Sequence, residues 1–130
     1  NFNAKFNLVS PNELKLPSTV KQHIKDANLK YDQYTELEDA IPHSDIIYMT
    51  RIQRERFPDP EEYEKVKNSY VLRNAMLANS KPNCRVLHPL PRVNEINVDV
   101  DANPKAYYFQ QAQNGVYARQ ALIASILGLK

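Results

Sequence analysis

Cysteine is almost absent from this chain: Cys84 stands alone in 130 residues. A lone thiol excludes an internal disulfide framework and fits a reducing compartment, so a cytoplasmic location is the expectation. Glycine is nearly as scarce, with Gly115 and Gly128 its two occurrences. That excludes a glycine-rich phosphate-cradling loop, and with it the usual nucleotide-binding fingerprints. No apolar run approaches the roughly 18–20 residues needed to span a bilayer. Neither sign of charge dominates: 17 Lys and Arg face 15 Asp and Glu, a formal net charge of +2. So small an excess points to neither nucleic acid nor an anionic membrane as partner. No Cys, His and Asp grouping has metal-ligand spacing and no nucleophile elbow occurs, so neither a metal site nor a serine-hydrolase centre is expected.

What is present describes an ordinary globular domain. The apolar fraction is 42% and the charged fraction 25%, and the length suits one domain with a modest core over residues 1–130. Nine prolines make the loops stiff. The chain opens NFNAKFNLVS, with no leader-like segment, no initiator methionine and a strand almost at once, an opening expected of a fragment.

Lys5-Phe6-Asn7-Leu8-Val9 reads as a strand. Ser10-Pro11-Asn12-Glu13 reads as a helix start, with Ser10 as N-cap and Pro11 at the first helical position. Val20, Ile24 and Ala27 mark one face of a further helix. Thr35 and Glu38 form a capping box ahead of buried Leu37 and Ile41, with Pro42 as the stop. Asp45–Met49 is the clearest strand, and its near-continuous apolar run predicts cover on both faces, as in parallel sheets. Asp59-Pro60-Glu61-Glu62 starts another helix, carrying Tyr63, Val66 and Tyr70 on one side and a Glu61–Lys65 pair on the other. Tyr70–Leu72 is a short strand, Asn74–Ala78 a brief helix, and Arg85–His88 the last strand, which Cys84 precedes as a packed residue. Val116–Leu127 is a helix, apolar nearly all round, capped by Gly128. The alternation of strands and helices predicts an α/β fold: an open parallel sheet with flanking helices. In such folds ligands bind at the carboxyl ends of strands.

Two strand ends therefore hold the candidate site. After the first, "YMTRIQRERF" supplies Arg51, Gln53, Arg54, Glu55 and Arg56. Such a loop is either a solvated, mixed-charge surface or a carboxylate or phosphate site. Guanidinium groups make bidentate bonds to those anions, an amide adds a donor and an acceptor, and Glu55 could orient an arginine. After the second, "HPLPR" brackets Leu90 between Pro89 and Pro91, with His88 before and Arg92 after. Proline has no N–H, and a residue before proline is held extended. The turn thus offers rigid carbonyl acceptors and few donors, suited to an amine or amide ligand; the alternative is a stiff surface turn with a structural His88. His23 and His43 read as surface residues. A third stretch, "YYFQQAQNGVYARQAL", reads as an amide-rich turn with a bend at Asn114-Gly115, leading into the last helix, where Arg119 needs a buried partner or a route to solvent.

In this order, "YMTRIQRERF", "VLHPLPRVNEI" and "YYFQQAQNGVYARQAL" resemble the aspartate-binding domain of the aspartate carbamoyltransferase family, from about residue 5 onward. That family transfers the carbamoyl group of carbamoyl phosphate to the amine of L-aspartate in pyrimidine synthesis, with no cofactor and no catalytic metal. The resemblance implies that Arg51, with Gln53 assisting, grips an aspartate carboxylate. It implies that Leu90 presents its carbonyl to ligand N–H groups, held by Pro89 and Pro91, with the Leu90-Pro91 bond cis and His88 in support. Glu55 and Arg56 would brace Arg51. The family's carbamoyl-phosphate domain, with its Ser-Thr-Arg-Thr loop, has no counterpart in the sequence, nor do the opening strand and helix of the aspartate domain. These residues alone are therefore expected to be inactive. The resemblance further implies a homotrimer of the catalytic chain, which regulatory chains can join. Two alternatives stand beside it. One is an ornithine-type carbamoyltransferase, although those typically carry Cys where Pro89 stands. The other is a non-catalytic assembly or regulatory domain of the same fold.

Overall fold

The computed structural model describes residues 4–54 and 57–129. Strand β1 (Lys5–Val9) and strand β2 (Lys30–Tyr34) form one parallel ladder, with Lys5 opposite Lys30 and Val9 opposite Tyr34. Helix α1 (Ser18–Asp26) makes the crossover between them. It ends at Asn28 in the left-handed region (φ 55°), where Leu29 N–H bonds the carbonyl of Ile24 and closes the helix. Helix α2 (Leu37–Ala40) then runs into a 3-10 turn, Ile41–His43. Strand β3 (Ile46–Tyr48) and strand β4 (Arg85–Leu87) form the second parallel ladder, with Tyr48 opposite Leu87. Between them lie helix α3 (Pro60–Val66) and a 3-10 turn, Asn74–Asn79. Helix α4 (Tyr108–Ile126) closes the chain.

Local chemistry explains several of these boundaries. Asp59 caps α3 as its sequence predicts, its carboxylate accepting from Glu61 N–H at 2.8 Å. Among the described residues the ion pair here joins Glu64 to Lys67, the residue after α3, at 2.5 Å, and not the expected Glu61 to Lys65. Gly128 (φ +67°) ends α4 in a left-handed cap, with Leu129 N–H on the Ala124 carbonyl and Gly128 N–H on that of Ser125. Several expectations need correction. Ser10 does not cap a helix: Asn12–Leu14 is a single 3-10 turn, and the Ser10 N–H extends the ladder by bonding the Tyr34 carbonyl. Thr35 does not form a capping box, because α2 starts at Leu37 and the Thr35 carbonyl is taken by the Tyr70 hydroxyl. Tyr70–Leu72 contributes one bridge, Leu72 to Ile96, instead of a strand. Lys30–Tyr34 is a strand that the polar sequence KYDQY concealed. Asn114-Gly115 is no bend: both residues lie inside α4, which begins eight residues before Val116.

The core joins α2, β3, β4 and the first turn of α4. Ile41, Leu72, Cys84, Val86, Val100 and Tyr108 are all 1% exposed or less. Burial pushes the Cys84 thiol above its ordinary pKa, as befits a packed residue. The predicted double cover of β3 is not present among the described residues. Ile47 is buried, but Ile46 and Tyr48 are each 54% exposed, because successive side chains face opposite sides of a strand. Helix α4 is likewise docked by one end. Tyr108 is buried, whereas Val116, Leu122, Ile123, Ile126 and Leu127 stand exposed. Accordingly the surface is 9462 Å², against roughly 7,000 Å² for a compact monomer of this mass.

Arg119 resolves its expected conflict by staying exposed and folding back over Gly115. A Cβ on Gly115 would meet Arg119 Nη1 at 2.8 Å, the mobile tip of a side chain with open solvent beside it. Gly115→Ala is therefore expected to stabilise the protein by about 0.5–1 kcal/mol through helix propensity. A rise in thermal midpoint checks this; a fall would mean that Arg119 cannot move aside.

Candidate functional site

Because β3 and β4 run parallel, their carboxyl ends emerge side by side. The ladder continues one step past β3, with Met49 N–H on the Leu87 carbonyl at 2.9 Å. From the Tyr48–Leu87 pair, Arg51 and Leu90 are each the third residue onward. The arginine loop and the proline turn thus leave the same end of the same ladder. That is the position where open α/β sheets place ligands.

Arg51 and Gln53 are exposed and line a cleft of about 610 Å³ with Val9, Ser10, Thr50 and Tyr70. The carboxyl end of β1 therefore forms its opposite wall. Arg51 also borders a small recess shared with Val93, Asn94 and Glu95, which connects the two loops. Glu55 and Arg56, expected to brace Arg51, lie outside the described residues.

The proline turn has the acceptor character its sequence predicts. Leu90-Pro91 is cis, and Leu90 adopts φ 47°, in the left-handed region and not in the extended geometry expected of a residue before proline. Pro89 and Pro91 have no N–H, and the two N–H groups that remain are used inside the protein. His88 N–H donates to Gln111 Oε1 at 2.9 Å and Leu90 N–H to His88 Nδ1 at 2.8 Å. Among the described residues no donor bonds the carbonyl oxygens of His88, Pro89, Leu90 or Pro91. Satisfied donors and open acceptors give this surface one chemical preference: a ligand bearing N–H groups.

His88 itself is buried, at 2% exposed. Its Nε2 meets Glu95 Oε1 at 2.7 Å, and Glu95 Oε2 accepts from Val93 N–H at 3.1 Å. Burial pushes the Glu95 carboxyl up, but the backbone N–H groups of Glu95 and Val93, together with His88, outweigh it and hold it below the usual carboxylate range. On the other flank Arg92 bonds Asp101 through both Nη atoms, and the Tyr108 hydroxyl also donates to Asp101. The Arg92 guanidinium lies 5.6 Å from the centre of the Tyr108 ring. The Asp101 hydrogen bond raises Arg92 further above its ordinary value, and Arg92 in turn depresses Asp101.

Sequence reasoning passed over Glu95 and Asp101, and took Tyr108 and Gln111 only as part of the amide-rich stretch before the last helix. The two acids and Tyr108 meet the turn from 7 to 16 residues away across irregular backbone, and Gln111 from 23 residues away. Periodicity carries no signal for such contacts.

A parallel α/β domain with a guanidinium- and amide-bearing loop beside an acceptor-only turn is chemically suited to a small ligand carrying both carboxylate and N–H groups. Comparison with known proteins narrows that class. Residues 1–126 match the family described as "Aspartate/ornithine carbamoyltransferase, Asp/Orn binding domain", and the chain belongs to that family. It is 59% identical over 129 residues to the aspartate carbamoyltransferase catalytic subunit of Bacteroides thetaiotaomicron, covering 98% of this chain and 41% of the relative. The catalytic subunit of Vibrio campbellii is 50% identical over 125 residues, covering 96% and 40%. Among solved structures, the catalytic subunit of M. jannaschii aspartate transcarbamoylase superposes with a TM-score of 0.84 at 41% identity, covering 95% of this chain and 41% of that one. Aspartate transcarbamoylase from Trypanosoma cruzi, in complex with carbamoyl phosphate and aspartate, superposes at 0.82 with 31% identity, covering 95% and 41%. The chain thus spans about two fifths of the length of these relatives.

Proposed function

We propose that residues 1–130 form most of the aspartate-binding domain of an aspartate carbamoyltransferase catalytic chain, which makes N-carbamoyl-L-aspartate and phosphate for pyrimidine synthesis. The observation that carries this reading is the shared exit of the Arg51 loop and the acceptor-only turn from the β3–β4 ladder. Arg51 and Gln53 bind a carboxylate of L-aspartate. The Leu90 carbonyl, framed by Pro89 and Pro91, accepts from ligand N–H groups, while His88, Glu55 and Arg56 support these contacts. The relatives named aspartate carbamoyltransferase favour aspartate over ornithine as acceptor, as does a guanidinium suited to a second carboxylate.

The amine nitrogen attacks the carbonyl carbon of carbamoyl phosphate. A C–N bond forms, the C–O bond to phosphate breaks, and the departing phosphate takes the amine proton. Orientation and electrostatic stabilisation of the tetrahedral intermediate supply the rate. No cofactor enters the scheme. This segment also helps position carbamoyl phosphate, whose further ligands come from the part of the catalytic chain that these residues do not include, in a cytoplasmic homotrimer that regulatory chains can join. The exposed apolar faces of β3 and α4 suit packing against that remainder.

The direct test is carbamoylation assayed with the whole catalytic chain and with residues 1–130 alone. The whole chain is expected to turn over L-aspartate and not ornithine, and the segment alone to show no turnover. Activity toward ornithine, or none toward aspartate, would reject the reading. Turnover by the isolated segment would reject its dependence on a second domain.

A further inference from the structure

Leu90 occupies a backbone region that a branched, non-glycine residue rarely adopts, at φ 47°, and such a conformation persists only where its surroundings enforce it. What enforces it is a chain of three groups. The Leu90 N–H donates to His88 Nδ1 at 2.8 Å. With Nδ1 acting as an acceptor, the imidazole hydrogen sits on Nε2 and points at Glu95 Oε1, 2.7 Å away. The second oxygen of the same carboxylate accepts from Val93 N–H at 3.1 Å. One buried carboxylate therefore grips both limbs of the turn: the entering limb through His88, the leaving limb directly.

Both ends of this chain are anchored in the body of the domain. Gln111, in the first turn of α4, accepts from His88 N–H at 2.9 Å, and the Glu95 carbonyl accepts from Leu72 N–H at 2.9 Å. His88 is 2% exposed and Glu95 7%, so water does not compete for these bonds. We propose that Glu95, acting through His88, is a positioning residue: it fixes the His88 tautomer and thereby sets the Leu90 peptide whose carbonyl meets the ligand. This assignment rests on the reading of Leu90 as a ligand contact in carbamoyl transfer.

Glu95→Gln is the discriminating variant. A glutamine of the same length has one acceptor atom, whereas the clamp needs two. Either the His88 Nε2–H or the Val93 N–H must then face an amide NH₂. In the whole catalytic chain, kcat/KM for L-aspartate is expected to fall about 10- to 100-fold, the scale for displacing a positioned group by about 1 Å. Circular dichroism at the assay temperature establishes that the variant is folded. An NMR measurement on wild-type chain labelled with ¹⁵N-histidine needs no variant. It is expected to show His88 with its hydrogen on Nε2 and a bare Nδ1, and Glu95→Gln is expected to shift that signature.

An Nδ1–H tautomer in the wild type would overturn the clamp. So would a folded Glu95→Gln enzyme with unchanged kcat and KM beside an active wild type. A whole wild-type chain with no carbamoylation of L-aspartate would instead overturn the reading beneath it, and this assignment would fall with that reading.

Discussion

Replacing Arg51 by alanine is expected to lower kcat/KM for L-aspartate by about 10²–10³-fold while leaving carbamoyl-phosphate binding within a few-fold of wild type, the scale for losing a preorganised charged donor at about 3–4 kcal/mol. The asymmetry between substrates carries the argument. Arg51 borders the cleft of about 610 Å³ with Gln53, Thr50 and the end of β1, whereas the turn that offers acceptors lies beyond it at the end of β4. A guanidinium there makes two parallel N–H···O bonds to one carboxylate and cannot be replaced by a point charge. Arg51→Lys is therefore expected to recover little of the loss. The measurement is steady-state kinetics with each substrate varied in turn, using the whole catalytic chain, together with calorimetric titration of carbamoyl phosphate. Equal losses for the two substrates would remove Arg51 from aspartate recognition and make its role structural.

The legible parts of the fold are those where local chemistry and tertiary contacts agree. Asp59 before Pro60 caps α3 because a short carboxylate at that position reaches the free N–H of Glu61. Gly128 ends α4 because the chain must turn left-handed there. The strand at β3 was visible because its residues are apolar, and β4 was visible because it stops at HPLPR. Strand β2 was not visible. Its sequence KYDQY buries nothing fully and leaves Lys30, Asp32 and Gln33 exposed, as a ladder edge permits. What fixes β2 is pairing with β1 across more than 20 residues. Asn114-Gly115 misled in the opposite direction: a pair that favours turns in isolation is overridden inside a 19-residue helix.

The site divides along the same line. Arg51, Gln53, Leu90 and its two prolines were readable as residue types adjoining strand ends, since the chemistry sits in the residues themselves. The groups that hold the turn in shape were not. Gln111 comes from α4 and acts through one hydrogen bond to His88, whereas Glu95, from the loop beyond the turn, acts through two, to His88 and to the Val93 N–H. Donor and acceptor accounting recovers them once the backbone is known, because every N–H in His88–Pro91 must then be assigned a partner.

Tyr108→Ala is expected to destabilise the protein by about 3–5 kcal/mol, the cost of deleting a large buried aromatic side chain. Tyr108 is fully buried and packs edge-on against Phe109 at 4.8 Å. Its hydroxyl and the Arg92 guanidinium share Asp101, so the deletion also loosens the exit of the proline turn. Tyr108→Phe keeps the packing but removes two hydrogen bonds, the one the hydroxyl donates to Asp101 and the one it accepts from Arg92, and is expected to cost about 1–3 kcal/mol. The pH dependence separates the two contributions. Burial, and then the hydrogen bond to Asp101, push the Tyr108 hydroxyl up to about 12 from an ordinary value of 10.0. A group whose pKa is raised by folding keeps its proton longer in the native state. Its stabilisation is complete below pH 10 and is lost as pH rises from about 10 towards 12, a loss on the order of 2 kcal/mol. Chemical denaturation at a series of alkaline pH values is expected to show this decline in the wild type and a shallower one in Tyr108→Phe, which has no hydroxyl to ionise. Identical slopes for the two would mean that another group governs alkaline unfolding and that the Tyr108–Asp101 contact contributes through packing alone.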